Sequence, residues 1–347
     1  MLLDQIPFPL DARGLHVLFG ALLGVVFGVA AQISRFCLRR AVAGDPAERR
    51  SAAGVWMAAL AGAILFAQVF VALGYASFDG HRWLSADLPL LALLGGGLAF
   101  GAGMVLTRGC VSRLSVLAGS GNLRAVTVLL VFAIVAHAML KGVLSPLRTA
   151  VTAPTVPVPL GSLATLPGGA TLWALILAVP LVVLALRSGA RPLHLVLGAV
   201  IGLVAAAGWA GTSVLLQDDF EPLPVQSIAF TLTWAETLFW TIASSAIPAS
   251  FGVGFAGAVI AGAFGSALLR GELVLQSFET PAQTLRYAAG AVLMGVGGVL
   301  AGGCTVGAGL SGTASLSVAA FLALGAMIAG AVATRMMLEG RGAPATA

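Results

Sequence analysis

Gly101–Cys110 reads Gly-Ala-Gly-Met-Val-Leu-Thr-Arg-Gly-Cys, and Gly295–Cys304 repeats its pattern as Gly-Val-Gly-Gly-Val-Leu-Ala-Gly-Gly-Cys. Both stretches follow G-x-G-x-V-L-x-x-G-C. A second pair, Arg13–His16 (Arg-Gly-Leu-His) and Arg191–His194 (Arg-Pro-Leu-His), occurs in the same order. Apolar composition alone rarely produces similarity at two places in one order. The chain is therefore predicted to be two fused copies of one bundle.

The composition around these stretches is that of a membrane protein. Of 347 residues, 59% are hydrophobic and 9% charged, and the mean hydropathy is +1.03. A soluble domain carries about a quarter charged residues. The apolar runs are too long for the short alternating strands of a β-barrel. The net charge of +5 does not indicate a nucleic-acid partner, because the arginines lie mostly in short loops, as membrane orientation signals do.

The apolar runs predict an all-α integral membrane protein with about nine transmembrane helices, each needing about 20 apolar residues. The runs cover residues 15–36, 52–76, 88–108, 124–144, 170–187, 192–217, 228–247, 249–269, 283–302 and 316–338. Two shorter pieces, 110–120 and 304–314, are too short to span, so we expect half-helices or re-entrant segments there.

The predicted division of the chain follows from the repeat. The first membrane repeat covers residues 1–144, a Thr/Pro-rich connector with one extra helix covers 145–190, and the second repeat covers 191–347.

Loop charges favour an inverted relation between the two repeats. The loop at 39–50 holds four arginines, which mark a cytoplasmic side, whereas the matching loop at 218–221 holds three acidic residues. Opposite charge in matching loops is typical of inverted repeats, whose binding site lies near the midplane of the bilayer. With Arg335 and Arg341 close to the C-terminus, we expect a periplasmic N-terminus and a cytoplasmic C-terminus.

Cys110 and Cys304 are the strongest candidates for chemistry. Each follows a glycine, Gly109 or Gly303, and opens a short segment after a glycine-rich helix. A helix that breaks inside the membrane leaves backbone N–H groups without partners, and with the helix dipole these form an anion site. A cysteine there adds a weak S–H donor. The alternative is that cysteine simply fills a tight helix crossing as a small apolar residue, which the repetition of the Gly-Cys step disfavours.

Cys37 and Arg108 have weaker support. Cys37 lies in Ser-Arg-Phe-Cys-Leu-Arg-Arg, and its counterpart in the second repeat falls near Leu215, so packing and function remain equal alternatives. Arg108 precedes Cys110 by two residues, and its counterpart is Gly302. An intramembrane arginine either faces a functional cavity or extends to the headgroups, and both alternatives stay open. With Thr305 after Cys304, these residues complete the predicted substrate-binding set.

No metal site or cofactor is expected. The three cysteines are isolated, their number is odd, and none forms a CxxC or a Cys/His pair at metal-ligand spacing, which argues against zinc and against a disulfide framework. Among the acidic residues, Glu236, which lies between Thr233 and Thr237 in an apolar run, is the one candidate for proton coupling.

Cysteine motifs give the chain a family resemblance. Arg-Phe-Cys-Leu-Arg at Cys37, Arg-Gly-Cys-Val-Ser at Cys110 and Gly-Gly-Cys-Thr-Val-Gly at Cys304 resemble the YeeE/YedE family over about residues 14–338. The resemblance implies a bacterial inner-membrane importer of thiosulfate for cysteine synthesis, not an enzyme. It also implies an hourglass of full and half-length helices whose three cysteines pass the ion along by S–H···S hydrogen bonds. A small TusA-like sulfur-carrier protein on the cytoplasmic side is an implied partner.

Several alternatives stay open. Other branches of the family are linked to selenium compounds, persulfide or hydrosulfide. A membrane thiol–disulfide enzyme is disfavoured by the lack of a CxxC. A structural subunit of a membrane complex is opposed only by the repeat and the intramembrane cysteines.

Overall fold

The computed structural model describes residues 11–217 and 222–340, and nearly all regular structure in these ranges is helical. The α-helices are α1 (Ala12–Ser34), α2 (Leu38–Ala43), α3 (Pro46–Ala72), α4 (Leu90–Leu106), α5 (Val111–Gly119), α6 (Leu123–Lys141), α7 (Ser145–Thr152), α8 (Gly169–Leu186), α9 (Pro192–Ala210), α10 (Thr231–Ala243), α11 (Phe251–Leu269), α12 (Pro281–Leu300) and α13 (Val318–Gly340). Two-residue strands β1 (Asp87–Leu88) and β2 (Val156–Pro157) pair antiparallel. Gly211–Leu215 and Gly307–Gly312 form π-helical turns.

The predicted all-α membrane fold is confirmed. Within the described ranges, eight helical segments are long and apolar enough to cross a membrane, and α12 is a further helix of 20 residues. The first short piece is the half-helix α5, whereas the second, after Cys304, contains the π-helical turn Gly307–Gly312.

The run predicted at 228–247 is the main difference. It contains α10, which has 13 residues and is too short to span a bilayer. The residues before it form no regular structure because their polar groups bond elsewhere. The Ser227 hydroxyl donates to the Ala205 carbonyl (2.6 Å), and the Ile228 carbonyl accepts from the Ser311 hydroxyl (2.7 Å).

The helix ends follow local sequence. Asp11 caps α1 by accepting from the Gly14 N–H at 2.8 Å, and Asp45 caps α3 with Pro46 in the first turn. Helix α1 ends where Arg35 adopts the left-handed conformation, with the Phe36 N–H bonded back to the Ala31 carbonyl at 3.2 Å. Such a reversal stops the helix while keeping its last carbonyls bonded.

Glycines bring the helices into close contact. A Cβ on Gly20, Gly24 or Gly28 would lie 2.3–2.5 Å from a carbonyl oxygen of α11. In the second repeat, a Cβ on Gly198 or Gly202 would lie 2.6 or 2.3 Å from a carbonyl oxygen of α3. Packing without side chains at the interface is how membrane helices gain van der Waals contact. The G-x-x-x-G-x-x-x-G pattern of α1 is a helix-packing face.

The contacts of the two halves mirror each other. Helix α1 packs on α11 as α9 packs on α3, and α4 packs on α13 as α12 packs on α6. The short helices α2 and α10 also correspond, since α2 contacts α3 and α13 whereas α10 contacts α11 and α6. Arg35 after the end of α1 and His194 at the start of α9 line the same cavity, so these two helices run in opposite directions. This is the predicted inverted relation; the acidic stretch 218–221 lies outside the described residues.

One end of the bundle is strongly basic. Arginines follow α1, open α3, separate α4 from α5, open α6 and α12, connect α8 to α9 and close α11 and α13 (Arg35, Arg39, Arg40, Arg49, Arg50, Arg108, Arg124, Arg187, Arg191, Arg270, Arg286, Arg335). The Arg335 guanidinium donates to the Val42 carbonyl at 3.0 Å, which ties the last helix to this end. Arg341 lies outside the described residues. We call this region the basic end.

Candidate functional site

All three cysteines occupy the same kind of helix break. A helix ends, a residue adopts a positive φ, one residue follows, and the next is the cysteine. The positive-φ residues are Arg35 (φ 53°) before Cys37, Arg108 (φ 58°) before Cys110 and Gly302 (φ 74°) before Cys304. Helices α2 and α5 begin directly after Cys37 and Cys110. Cys37, which had no counterpart in the sequence repeat, thus belongs to the same structural class as the other two.

The backbone of the two repeated breaks matches bond for bond. The Thr107 N–H donates to the Gly103 carbonyl (3.0 Å), as the Ala301 N–H does to Gly297 (2.8 Å). Beyond each cysteine, the Cys110 and Cys304 carbonyls accept from the N–H four residues later at 2.9 and 2.8 Å. The common Gly-Cys pattern therefore encodes one common geometry.

Two of the three sulfurs are in contact. The Sγ atoms of Cys37 and Cys110 lie 3.9 Å apart, and the Cys110 Sγ lies 3.2 Å from the Ser112 hydroxyl oxygen. All three thiols are free and buried, and no hydrogen bond joins Cys304 to either of the others. The Cys304 Sγ instead accepts from the Gly307 N–H at 3.3 Å. The buried thiols are thus a pair near the basic end and a separate single residue.

Backbone N–H groups face the sulfurs. At each cysteine, the backbone N–H of the residue three positions later interacts with the sulfur. The Gly307 N–H donates to the Cys304 sulfur, and the N–H groups of Arg40 and Arg113 act on the sulfurs of Cys37 and Cys110. N–H groups exposed at a helix start favour negative charge. Each thiol therefore lies where an anion would meet both S–H and N–H donors.

The residues that flank the cysteines differ in role. A Cβ on Gly303 would lie 2.9 Å from the Ala308 nitrogen, whereas a Cβ on Gly109 would meet only the Leu114 side chain, at 3.3 Å. Gly303 is thus required by close backbone contact, while Gly109 has more room. Thr305 is buried directly after Cys304.

Arg108 has an unusual backbone for its residue type. It holds the left-handed position that Gly302 holds in the second repeat, where a side chain with a Cβ is strained. Its Nε is buried without a partner among the described residues. Electrostatically it is grouped with Arg39, Arg124 and Arg286. Arg108 therefore belongs to the basic end and lies two residues from the thiol pair.

The carbonyls that end α4 and follow α12 both accept from arginine. The Arg286 guanidinium donates to the Leu106 carbonyl (3.2 Å), and the Arg82 guanidinium donates to the Gly302 carbonyl (2.8 Å). Positive side chains at helix C-termini bond the last carbonyls and oppose the dipole. These arginines fix the helix breaks that position the cysteines.

Sequence reasoning missed two residues that the structure brings to the site. Arg113 lies one helical turn after Cys110 and acts electrostatically on both Cys37 and Cys110. Trp56 is 5% exposed and stacks on Phe36, the neighbour of Cys37, with ring centroids 6.2 Å apart. The spacing of Arg113 after Cys110 was a usable signal in the sequence, whereas Trp56 is joined to the site only by tertiary packing.

Glu236 lies away from these residues. Its carboxylate accepts from the Ser250 hydroxyl at 3.0 Å and faces a cavity of about 650 Å³ that His137 and Lys141 also line. No contact joins it to a cysteine in the part of the chain that the structure describes. Ser250 caps α11, so the bond to Glu236 supports a helix start.

Comparison with known proteins accounts for nearly the whole chain. A family model described as "Sulphur transport" matches residues 27–333, a range that contains all three helix breaks. No curated protein matches the chain. A multi-pass helical membrane fold and a family match over most of the length agree with each other, and together they point away from an enzyme. The chain belongs to the sulphur transport family, also called YeeE/YedE.

Proposed function

We propose that this protein imports thiosulfate across the bacterial inner membrane and passes it along the three buried cysteines. The observation that carries the proposal is the 3.9 Å contact between the Cys37 and Cys110 sulfurs, at two helix breaks of the same form as that of Cys304. Thiols donate weak hydrogen bonds and are polarisable, which suits the soft terminal sulfur of thiosulfate. Thr305, Gly109, Gly303 and Arg108 complete the proposed binding set around the thiols.

Transport of this kind needs no bond to be made or broken. The S–H and backbone N–H donors replace water around the ion, as the lining groups of a selective pore do. The proposed role is therefore that of a transporter without a catalytic residue.

Growth with thiosulfate as the sole sulfur source tests the proposal. Cys110→Ala should abolish growth and uptake of labelled thiosulfate while the protein still inserts. Thr334→Ala is the matched control, because among the described residues its hydroxyl bonds only within α13, to the Gly330 carbonyl at 2.8 Å. Normal uptake by Cys110→Ala at wild-type protein levels would end the relay proposal.

The arginine distribution supports an orientation. Short loops rich in arginine face the cytoplasm, so we place the basic end there, with a periplasmic N-terminus and a cytoplasmic C-terminus. A TusA-like sulfur carrier would then receive the ion at the basic end. Topology reporters fused after α13 and within the loop between α3 and α4 should report opposite sides of the membrane.

The sulfur species is decided by competition. Excess unlabelled thiosulfate should suppress the uptake of labelled thiosulfate, whereas excess sulfate, which lacks a terminal sulfur, should not. Stronger suppression by hydrosulfide, persulfide or selenium compounds would identify one of those as the substrate.

One observation also favours a second candidate, a membrane thiol–disulfide enzyme. Two free thiols in contact, as at Cys37 and Cys110, are what such an enzyme needs. Mass spectrometry of the protein from growing cells distinguishes the two functions, because the enzyme accumulates a Cys37–Cys110 disulfide in one redox state and the transporter keeps both thiols reduced.

A further inference from the structure

Arg113 is a buried cation beside the thiol pair. It lies in the first turn of α5, three residues after Cys110, and its Nη1 atom is shut off from solvent. Burial of a guanidinium is unfavourable unless an anion or several acceptors replace its water.

Within residues 11–217 and 222–340, Arg113 has no anionic partner and its Nη1 atom has no acceptor. The groups that act on it electrostatically are the thiols of Cys37 and Cys110 and the guanidinium groups of Arg40 and Arg35, and the two arginines have the same sign as Arg113. Other arginines at this end are paired, Arg40 with Glu48 at 2.5 Å and Arg270 with Glu272 at 3.0 Å. Among the described residues, therefore, no carboxylate serves as a counter-ion to the Arg113 guanidinium.

A cavity of about 340 Å³ opens beside Arg113 at the basic end. Hydrogen-bond donors line it, including Arg35, Arg40, Gln32 and Asn122, and so do the carboxylates of Glu48 and Glu272. Both carboxylates are already engaged, Glu48 by Arg40 and Glu272 by Arg270 and Gln32. The cavity thus combines an unpaired cation with internal anions that compete for the neighbouring donors.

We propose that Arg113 holds the transported anion in this cavity, as a second binding station next to Cys37 and Cys110. The inference rests on the proposed transport of a sulfur oxyanion. Neutral thiols give hydrogen bonds but no charge, so a dianion at the thiol pair needs a cation, and Arg113 supplies it. Its planar fork suits two oxygens of one sulfonate group.

Glu48 and Glu272 set how tightly the anion is held. An ion must bind well enough to enter a site and weakly enough to leave it. By occupying Arg40 and Arg270, the two carboxylates keep the number of free guanidinium groups small, so the anion can be released toward the basic end.

Equilibrium binding of labelled thiosulfate to the purified full-length protein tests the assignment. Arg113→Gln should weaken binding by about tenfold to a hundredfold, the loss expected for a charge-assisted hydrogen bond. Arg187→Gln is the matched control, because this exposed arginine lies at the same end and its side chain has no hydrogen-bond or ion-pair partner among the described residues; its carbonyl accepts from Arg50. Equal affinity of Arg113→Gln and wild type would overturn the inference.

A second variant keeps the test decisive if Arg113→Gln fails to fold. Glu48→Gln frees Arg40 and should tighten binding of thiosulfate, whereas unchanged or weaker binding contradicts the inference. Labelled sulfate serves as the parallel probe. If sulfate bound in an Arg113-dependent way and thiosulfate did not bind, the anion site would stand and the thiosulfate proposal would be overturned. If thiosulfate bound equally well with and without Arg113, the thiosulfate proposal would stand and the role of Arg113 would be overturned.

Discussion

The sulfur atom of Cys37 lies 3.9 Å from the sulfur atom of Cys110, although the two residues are 73 positions apart in the chain. Both Cys37 and Cys110 directly precede a short helix, α2 and α5, near the basic end. Two helix breaks from one repeat therefore meet, while the third cysteine stands alone in the other repeat. The proposed path is asymmetric despite the symmetry of the bundle.

This contact predicts selective oxidation. Diamide should take two protons and two electrons from the thiols of Cys37 and Cys110, which reduces it to its hydrazine and joins the two sulfurs in a disulfide. Uptake should stop and return on reduction, because the bond removes both S–H donors. Peptide mapping should find Cys304 still free, since it has no thiol within hydrogen-bond distance. A disulfide that includes Cys304 would contradict this prediction.

Relief of backbone strain is expected at Arg108. A residue with a Cβ in the left-handed region costs roughly 1–2 kcal/mol, a cost that glycine does not bear. Arg108→Gly should raise the free energy of unfolding by about 1 kcal/mol relative to Arg108→Ala, which loses the same guanidinium but keeps the strain. Thermal unfolding in detergent measures the difference, and equal stability of the two variants would refute the strain.

Close packing of α1 on α11 predicts that Gly24 tolerates no side chain. Its Cβ would lie 2.5 Å from the Phe255 carbonyl oxygen, whereas a Cβ on Gly257 meets nothing within 4 Å. Gly24→Ala should destabilise the protein by about 1–3 kcal/mol, the usual cost of overpacking, and Gly257→Ala should be neutral. Melting temperatures of the two variants provide the comparison.

Trp209 and Trp56 should respond differently to loss of the indole N–H. Trp209 donates to the Ser311 carbonyl at 2.8 Å, whereas the buried Nε1 of Trp56 has no partner among the described residues. Trp209→Phe leaves a buried carbonyl unpaired and should cost about 1–3 kcal/mol more than Trp56→Phe. Both changes remove similar volume, so the difference in unfolding free energy isolates the hydrogen bond. Equal destabilisation would show that the bond contributes nothing.

Acid should weaken the loop between α3 and α4. Burial, aided by the charge of Arg82, lowers the pKa of His81 from its usual 6.5 to about 4. The Trp83 N–H donates to its Nδ1 at 3.3 Å, a bond that only the unprotonated nitrogen can accept. The unfolded chain therefore binds the proton more readily, so this stability is present above about pH 6.5 and is lost as the pH falls toward 4.

To test the role of His81, the melting temperatures of the wild type and of His81→Gln are measured between pH 7 and pH 4.5. The variant should lose part of the wild-type pH dependence. If the melting temperatures of the two proteins fell in parallel as the pH falls, the acid sensitivity would belong to other groups.

Much of the fold was predictable because each membrane-spanning helix requires a long apolar run, which is visible in the sequence. The run at 170–187 became α8 at Gly169–Leu186, and the run at 249–269 became α11 at Phe251–Leu269. The run at 228–247 was misleading, because apolar composition cannot show that Ser227 bonds to α9 and Ile228 to the π-helical turn Gly307–Gly312.

For the site, the sequence by itself determined that Cys110 and Cys304 are equivalent, since a repeated Gly-Cys pattern encodes a repeated helix break. Only the tertiary structure decided the position of Cys37. The left-handed turn at Arg35 has no glycine to reveal it, and contact between Cys37 and Cys110 depends on how α2 and α5 pack. That no described carboxylate pairs with Arg113 is also a tertiary property, because the fold decides which charged groups come close to it.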